Sequence, residues 1–347
     1  MKHVLASFLP FEHRVSLRPM HTFGIDVYAD NLLRIWDEAS LQLFVEANAH
    51  LNHPIFVLSG GSNVLFQGNP QSLILKIEIK GREILSQQKD HVLLRLGAGE
   101  NWHETVLYCI AQGWGGIENL SLIPGNVGAA PIQNIGAYGV EIADVFEYLE
   151  AIHIQSGALR KFSKEECKFG YRNSIFKLDE KGKYVITRVV LRLTHRMHEL
   201  RTSYGAIKGE LQNRGIVHPH ISDISDIVCK IRQSKLPNPS NLGNAGSFFK
   251  NPIIPAKEFE QIQSDFPDIP FYPEPKNHYK IPAAWLIQTC GWKGQRFGNF
   301  GVYDKQALVL VNYGGASGEE IFSLSERILQ SVKVKFGIKL EREVQVI

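Results

Sequence analysis

The sequence predicts an α+β protein of more than one domain, and three observations carry that expectation. At 347 residues the chain is longer than one hydrophobic core ordinarily serves. From residue 73 to about 194, apolar strand-like runs alternate with turns and a few helices. After Thr194 the composition shifts, first to a polar stretch, His195 to Arg201, and later to a segment punctuated by prolines.

Taken in order, residues 22–29 read as extended and residues 39–50 as a helix. A short apolar strand over 54–58 runs directly into Ser59-Gly60-Gly61-Ser62-Asn63. Strands are expected over 73–77, 92–96, 146–154 and 184–193. A helix opens near Trp102, with Val106, Leu107, Ile110 and Ala111 at helical spacing. Ser163 with Glu166, and Ser317 with Glu320, have the form of capping boxes. The first opens a short helix and the second a long one reaching towards Phe336. Tyr204-Gly205 reads as a loop, and a helix over 223–233 ends before Pro237-Asn238-Pro239. The tail, 339–347, alternates as a strand does. The organisation implied is a nucleotide-handling first half, a second domain from about residue 215, and a final strand returning to the first half.

Composition excludes several classes. The formal net charge is +3 and the basic residues are scattered, which argues against nucleic acid as a partner. No run approaches the roughly 18 apolar residues of a membrane span. The start, MKHVLASFLPFEHR, is broken by Glu12, His13 and Arg14 and reads as mature protein, not a signal peptide. The four cysteines are widely spaced with no C-x-x-C pair, which fits buried thiols in a reducing compartment. No histidine pair has the carboxylate or cysteine spacing of a metal site, so none is expected.

Glycine supplies the first chemical signal. The stretch from Ile123 to Gly139 holds four glycines among seventeen residues: Pro124, Gly125, Asn126, Gly128, Ala129, Gln133, Asn134, Gly136, Ala137, Tyr138 and Gly139 stand out. Such a stretch lets backbone N–H groups approach an anion closely, as a diphosphate requires. Ser59, Gly60, Gly61, Ser62 and Asn63 offer a second cradle after a strand. A lone glycine pair would be a plain tight turn; two such cradles in one half favour phosphate binding. G-x-G-x-x-G and the P-loop lysine motif are both absent, so a dinucleotide would not bind in Rossmann fashion. Three further places carry chemistry. Tyr171-Arg172-Asn173-Ser174 presents a planar fork suited to a carboxylate, although an arginine beside an aromatic also snorkels at surfaces. The block from Gly243 to Pro252 exposes Ser247 beside two phenylalanines, where a plain turn hydroxyl is the alternative. Glu341-Arg342-Glu343 near the C-terminus is charged, and nothing local distinguishes Glu343.

Together these segments closely resemble the UDP-N-acetylenolpyruvoylglucosamine reductase (MurB) family, in its longer class with the Tyr-Gly loop. The resemblance runs through Thr22-Phe23-Gly24, Gly60 to Leu65, Ile123 to Gly139 and Phe169 to Ser174. It continues through Ser203-Tyr204-Gly205, Lys235-Leu236-Pro237, Gly243 to Pro252 and Leu340 to Val344. It implies an FAD-binding fold of the p-cresol methylhydroxylase (VAO/PCMH) type in two subdomains, 1–67 and 68–214, the latter with a returning C-terminal strand over 337–347. A third α+β domain, 215–336, would bind substrate. It also implies a bacterial, cytoplasmic flavoenzyme of peptidoglycan synthesis, with non-covalent FAD, NADPH as hydride donor and a small UDP-sugar as substrate; a monomer is expected because the sequence shows no exposed apolar seam.

By the same resemblance Arg172 holds the substrate carboxylate. Ser247 donates a proton, and Glu343 assists as a protonated donor or by orienting a neighbour. Tyr171, Tyr204, Lys235 and Asn251 touch the UDP-sugar, and the two glycine cradles hold FAD. A carbohydrate oxidase of the same fold and a non-catalytic UDP-sugar-binding regulator are the alternatives. The oxidase would consume oxygen; the regulator would not need Ser247 and Glu343.

Overall fold

A computed structural model of the protein describes residues 10–48 and 54–347. The first nine residues, with the basic and apolar start, and the end of the helix expected over 39–50 lie outside the described residues. In chain order come β1 (Glu12–Ser16), β2 (Tyr28–Ile35), α1 (Glu38–Asn48), β3 (Ile55–Leu58), β4 (Val64–Leu65) and β5 (Leu73–Ile77). Next are β6 (Arg82–Gln87), β7 (His91–Gly97), α2 (Trp102–Ala111), β8 (Trp114–Gly115), β9 (Gly136–Ala137) and β10 (Val140–Glu141). Then follow α3 (Ile142–Val145), β11 (Phe146–His153), β12 (Leu159–Ser163), α4 (Lys164–Cys167), β13 (Tyr184–His195), α5 (Gly205–Asn213) and α6 (Ile221–Lys235). The remainder is β14 (Gly243–Ser247), β15 (Ile253–Pro255), α7 (Ala256–Asp265), β16 (Tyr272–Glu274), β17 (His278–Lys280) and α8 (Ala283–Thr289). It closes with β18 (Arg296–Phe297), β19 (Phe300–Val302), β20 (Val309–Asn312), α9 (Gly318–Phe336) and β21 (Gln345–Val346). The class is α+β, as expected. None of the described helices is long and apolar enough to cross a membrane.

The chain divides into two contact units, and the backbone passes between them repeatedly. One comprises the described residues up to 15 with 29–60 and 71–233; the other comprises 16–28, 61–70 and 234–347.

Besides the β9-β10 pair, the described residues of the first unit form two larger sheets. In the smaller, ordered β1-β2-β5-β3, β5 lies parallel to both β2 and β3. Leu33, Ile35, Leu75 and Ile77 pack with Leu41 and Phe44 of α1 into its core. The larger sheet runs β12-β11-β13-β7-β6, with β8 pairing the end of β13. Its long strand β13 is rich in β-branched residues, which favour a pleated, buried surface, and Val185, Val189, Val190, Leu191 and Leu193 are fully buried. Trp102, Val106 and Cys109 of α2 close this core. Leu107, grouped with that apolar face in the sequence, is instead 48% exposed. Strand β6 has no apolar–polar alternation because it lies at the sheet edge, where little burial constrains it.

The second unit contains an antiparallel sheet, β14-β20-β19-β18, and a small one, β15-β17-β16. Helix α9 buries Ile321, Leu324, Ser325, Ile328, Val332 and Phe336, a stripe at helical spacing. Residues 22–27 are not a strand: β2 starts only at Tyr28. Single backbone bonds hold them instead, Thr22 N–H donating to the Gly61 carbonyl (3.1 Å) and Leu17 N–H to that of Val27 (2.8 Å). Of the tail expected as a strand, only Gln345–Val346 pairs as one. It lies parallel to Val64–Leu65, in the N-terminal half of the sequence.

Candidate active site

In the first unit the two glycine-rich stretches meet. A Cβ at Gly60 would lie 2.6 Å from Gly125 Cα and 3.0 Å from Asn126 N, so only glycine permits this approach of the two backbones. The chain leaves strand β3 at Leu58, and the next residue, Ser59, carries a buried Oγ with no hydrogen-bond partner among the described residues. The second stretch is tied down by Trp102 N–H to the Gly125 carbonyl (3.0 Å), Val127 N–H to Glu100 (2.9 Å) and Gly128 N–H to Ala98 (2.9 Å). Gln133 ends a short 3-10 turn, and the next residue, Asn134, is left-handed. The Asn134 side chain donates to Glu141 (2.6 Å) and Gly170 O (3.1 Å) and accepts from Ala143 N (3.2 Å), so it braces the loop. Tyr138 and Gly139, both at positive φ, form the two-residue hairpin turn joining β9 and β10.

The turn Gly170-Tyr171-Arg172-Asn173 closes on itself through paired Gly170 and Asn173 backbone bonds of 3.1 Å. Arg172 sits there at φ 52°, a left-handed position that a branchless glycine favours and arginine occupies at a cost. The turn aims its guanidinium at the first-unit loop, where Nη2 donates to the Gly136 carbonyl at 2.8 Å. Ser174 anchors the turn through Oγ to the Ile132 carbonyl (2.7 Å). The Tyr138 ring meets that of Tyr204 edge-on, with centroids 5.3 Å apart. Of the expected Tyr204-Gly205 loop, Tyr204 is a bend at the N-cap position of α5 and is 49% exposed, whereas Gly205 already belongs to the helix.

Sequence reasoning missed Arg232. Its Nε is sealed from solvent with no partner among the described residues. Burial lowers its pKa against the pull of Tyr138, while burial raises that of the Tyr138 phenol and Arg232 lowers it. Burial and then Arg232 keep His103 below the ordinary histidine range. Positions 221, 225, 228 and 232 form one helical stripe, and the first three are buried. That periodicity was the available signal for an inward-facing cation.

In the second unit, the backbone segments that carry Ser247 and Glu343 lie side by side. The segment after β14 runs antiparallel to the C-terminal residues: Glu343 N–H donates to the Phe248 carbonyl (2.8 Å) and Lys250 N–H to that of Glu341 (2.9 Å), about a Phe249–Arg342 bridge. A register shift between Asn244 and Ser247, with Gly246 at φ 68°, turns this end of the strand. Asn63 supports Glu343 from below, with Nδ2 donating to the Glu343 carbonyl (3.1 Å) and its own carbonyl accepting from Gln345 (3.0 Å). Asn251 accepts from Ala283 N (2.9 Å) and so caps α8. Lys235 is exposed at the end of α6. Gly61 sits at φ 61° with no room for a Cβ beside His21. Ser62 is half-buried, as are Ala129 and Ala137, while Pro124 is exposed.

Residues 238–347 match the family described as UDP-N-acetylenolpyruvoylglucosamine reductase, C-terminal domain, and residues 30–163 match the FAD binding domain family. A UDP-N-acetylenolpyruvoylglucosamine reductase of Flavobacterium johnsoniae is 46% identical over 339 residues, covering 98% of this chain and 100% of that protein. One of Pseudomonas aeruginosa is 46% identical over 335 residues, covering 96% and 98%. The crystal structure of the Thermus caldophilus enzyme superposes with a TM-score of 0.68 at 24% identity, over 98% of this chain and 99% of that one. The chain belongs to the UDP-N-acetylenolpyruvoylglucosamine reductase family.

Proposed function

We propose that this protein reduces the enolpyruvyl ether of UDP-N-acetylglucosamine to UDP-N-acetylmuramate in bacterial cell-wall synthesis, using non-covalent FAD and NADPH. The residues present fit such a cofactor: a buried, unpartnered Ser59 Oγ stands beside a Gly60–Gly125 approach that no Cβ could enter. Backbone groups of Ser59 to Asn63 and of Gly125 to Gly139 would hold the diphosphate. Bound there, FAD would supply two-electron hydride chemistry between NADPH and the enolpyruvyl group.

The protein's own work is to bind and polarise the enoyl acid. Arg172 would grip the carboxylate through two parallel hydrogen bonds, neutralising the charge that grows there during reduction. Its strained backbone and its bond to Gly136 fix the guanidinium before substrate arrives. Ser247 would then deliver a proton to the carbon bearing the ether oxygen. Glu343 would assist that step, either by donating when protonated or by orienting a neighbour. Tyr171, Tyr204, Lys235 and Asn251 would contact the UDP-sugar, with Lys235 a counter-charge for its diphosphate. We read the protein as a cytoplasmic monomer, residues 1–67 and 68–214 serving FAD and 215–336 the substrate.

The observation that supports this reading is the backbone pairing of the segment after Ser247 with Glu341–Glu343, which sets two segments far apart in sequence side by side. The test is anaerobic. Purified protein should be yellow, bleach with NADPH, and recover its colour on addition of the enolpyruvyl UDP-sugar. Ser247→Ala should bleach normally and recover roughly 10²–10⁴-fold more slowly, the range for loss of a general acid. Recovery by oxygen alone, with no response to the sugar, would replace the reductase with an oxidase.

A further inference from the structure

We propose that Lys76 is a positioning residue for the FAD cradle, fixing the peptide that joins Ser59 to Gly60 and placing positive charge beneath it. The inference rests on reading that peptide as part of the flavin site.

Lys76 breaks the apolar run of β5, whose other residues, Leu73, Ile74, Leu75 and Ile77, are buried or half-buried. It is itself only 8% exposed, in the middle strand of its sheet, opposite Arg34 of β2 and Leu58 of β3. An ammonium persists in such a place only with compensating partners. Its closer contact is not a carboxylate: Nζ donates to the Ser59 carbonyl, whereas Glu78 lies at 3.7 Å. In a trans peptide the C=O and the following N–H point in opposite directions. Holding the Ser59 carbonyl against Lys76 therefore turns the Gly60 N–H away from that ammonium, in a turn where the buried Ser59 Oγ also lacks a partner among the described residues.

A second lysine repeats the arrangement. Lys80 donates through Nζ to the Gly99 carbonyl, in the loop whose Ala98 packs on Gly128 of the other glycine stretch. One lysine thus braces the first stretch directly, and the other braces the loop against which the second stretch packs. The charges around Lys76 are Arg34, Lys80, Glu78 and, through Arg34, Glu12. Arg82 and Glu100 pair with each other beside Lys80. Three cations against Glu12 and Glu78 leave one positive charge in excess, the sign an anionic diphosphate requires. Burial lowers the Lys76 pKa and Glu78 opposes that shift.

The experiment follows the escape of FAD from the holoenzyme on dilution, read as recovered flavin fluorescence, with thermal unfolding of the same samples. A charge-assisted hydrogen bond lost at the cradle should speed release from Lys76→Met by about tenfold to a hundredfold. Lys76→Arg, which keeps the cation, should restore most of the retention. Glu78→Gln removes only the counter-charge, so it should hold FAD as long as wild type or longer. A purely structural ion pair predicts the opposite, faster release from Glu78→Gln, and that result would overturn the proposal even if Lys76→Met fails to fold. So would wild-type retention in a folded Lys76→Met, or equal loss in the Met and Arg variants. A colourless wild type that takes up no FAD would overturn the flavoenzyme reading and this inference with it, whereas yellow wild type with indifferent variants overturns this inference alone.

Discussion

At Gly60 the case for glycine is distance, not backbone conformation. Two chains cross there with no gap for a methyl group, and its nearest neighbours are backbone atoms of Gly125 and Asn126, which cannot swing aside as a side chain would. Gly60→Ala should therefore part the two stretches, costing about 1–3 kcal/mol of stability as overpacking does. Purified Gly60→Ala should carry markedly less FAD per protein by absorbance. The sequence made these glycines legible as a phosphate cradle through their number and their place after a strand. It did not show that the two stretches touch, because that contact joins residues 60 and 125 through tertiary structure alone. Arg172 was legible as a carboxylate fork, yet its left-handed turn and its hold on Gly136 follow from the pairing of Gly170 with Asn173, which no periodicity announces. Arg232 could have been found from its helical stripe. It was missed because a charge beside Lys235 reads as the solvated end of a helix.

Elements with local causes were the easiest to read. Both capping boxes formed: Ser163 accepts from Glu166 N and Ser317 from Glu320 N, each with the reciprocal glutamate bond. At the second, the helix starts hard against Phe66, whose carbonyl would stand 1.7 Å from any Cβ on Gly318. Ser317→Ala should lower stability by about 1 kcal/mol, the usual worth of such a cap. The thermal midpoint of unfolding measures it, and Ser317→Asp, which keeps an acceptor, should return most of the loss. Elements with non-local causes were harder to read. Residues 22–27 were read only as extended; Phe23, Ile25 and Val27 are buried in alternation, but the stretch bonds to Gly61 and Leu17 rather than to a sheet. Edge strand β6 has a partner but no pattern. Tyr204-Gly205 resembled a loop because a helix cap and a loop share the same residue preferences.

For the whole molecule, nothing in local composition joins residues 16–28 and 61–70 to the C-terminal part. Long-range pairing does so, Asn244 N–H to the Thr22 carbonyl and Gln345 beside Val64. Both units do share one electrostatic liability. In the second, His21 is buried against Phe66, with Nε2 on the Ile25 carbonyl (3.1 Å) and Nδ1 without a partner among the described residues. In the first, Nδ1 of His103 accepts from Leu122 N (2.9 Å), which requires an unprotonated nitrogen. Burial lowers the pKa of both, and that of His198, below 6.5. A histidine whose folded pKa is depressed stabilises the fold fully above about pH 6.5 and loses that contribution as pH falls through the folded value. The slope across that interval is at most about 1.4 kcal/mol per pH unit for the buried His21, and smaller for His103 and His198, which solvent partly screens. The depressed carboxylates, Glu100 and Glu147 among them, act with the same sign but only below pH 4.5, so the two windows separate. The thermal midpoint should thus fall between pH 7 and 5, before carboxylate protonation begins. His21→Gln, uncharged throughout, should flatten part of that slope, and the double variant with His103→Gln more of it. A midpoint flat from pH 7 to 5 in the wild type would show that these imidazoles protonate without cost in the folded protein.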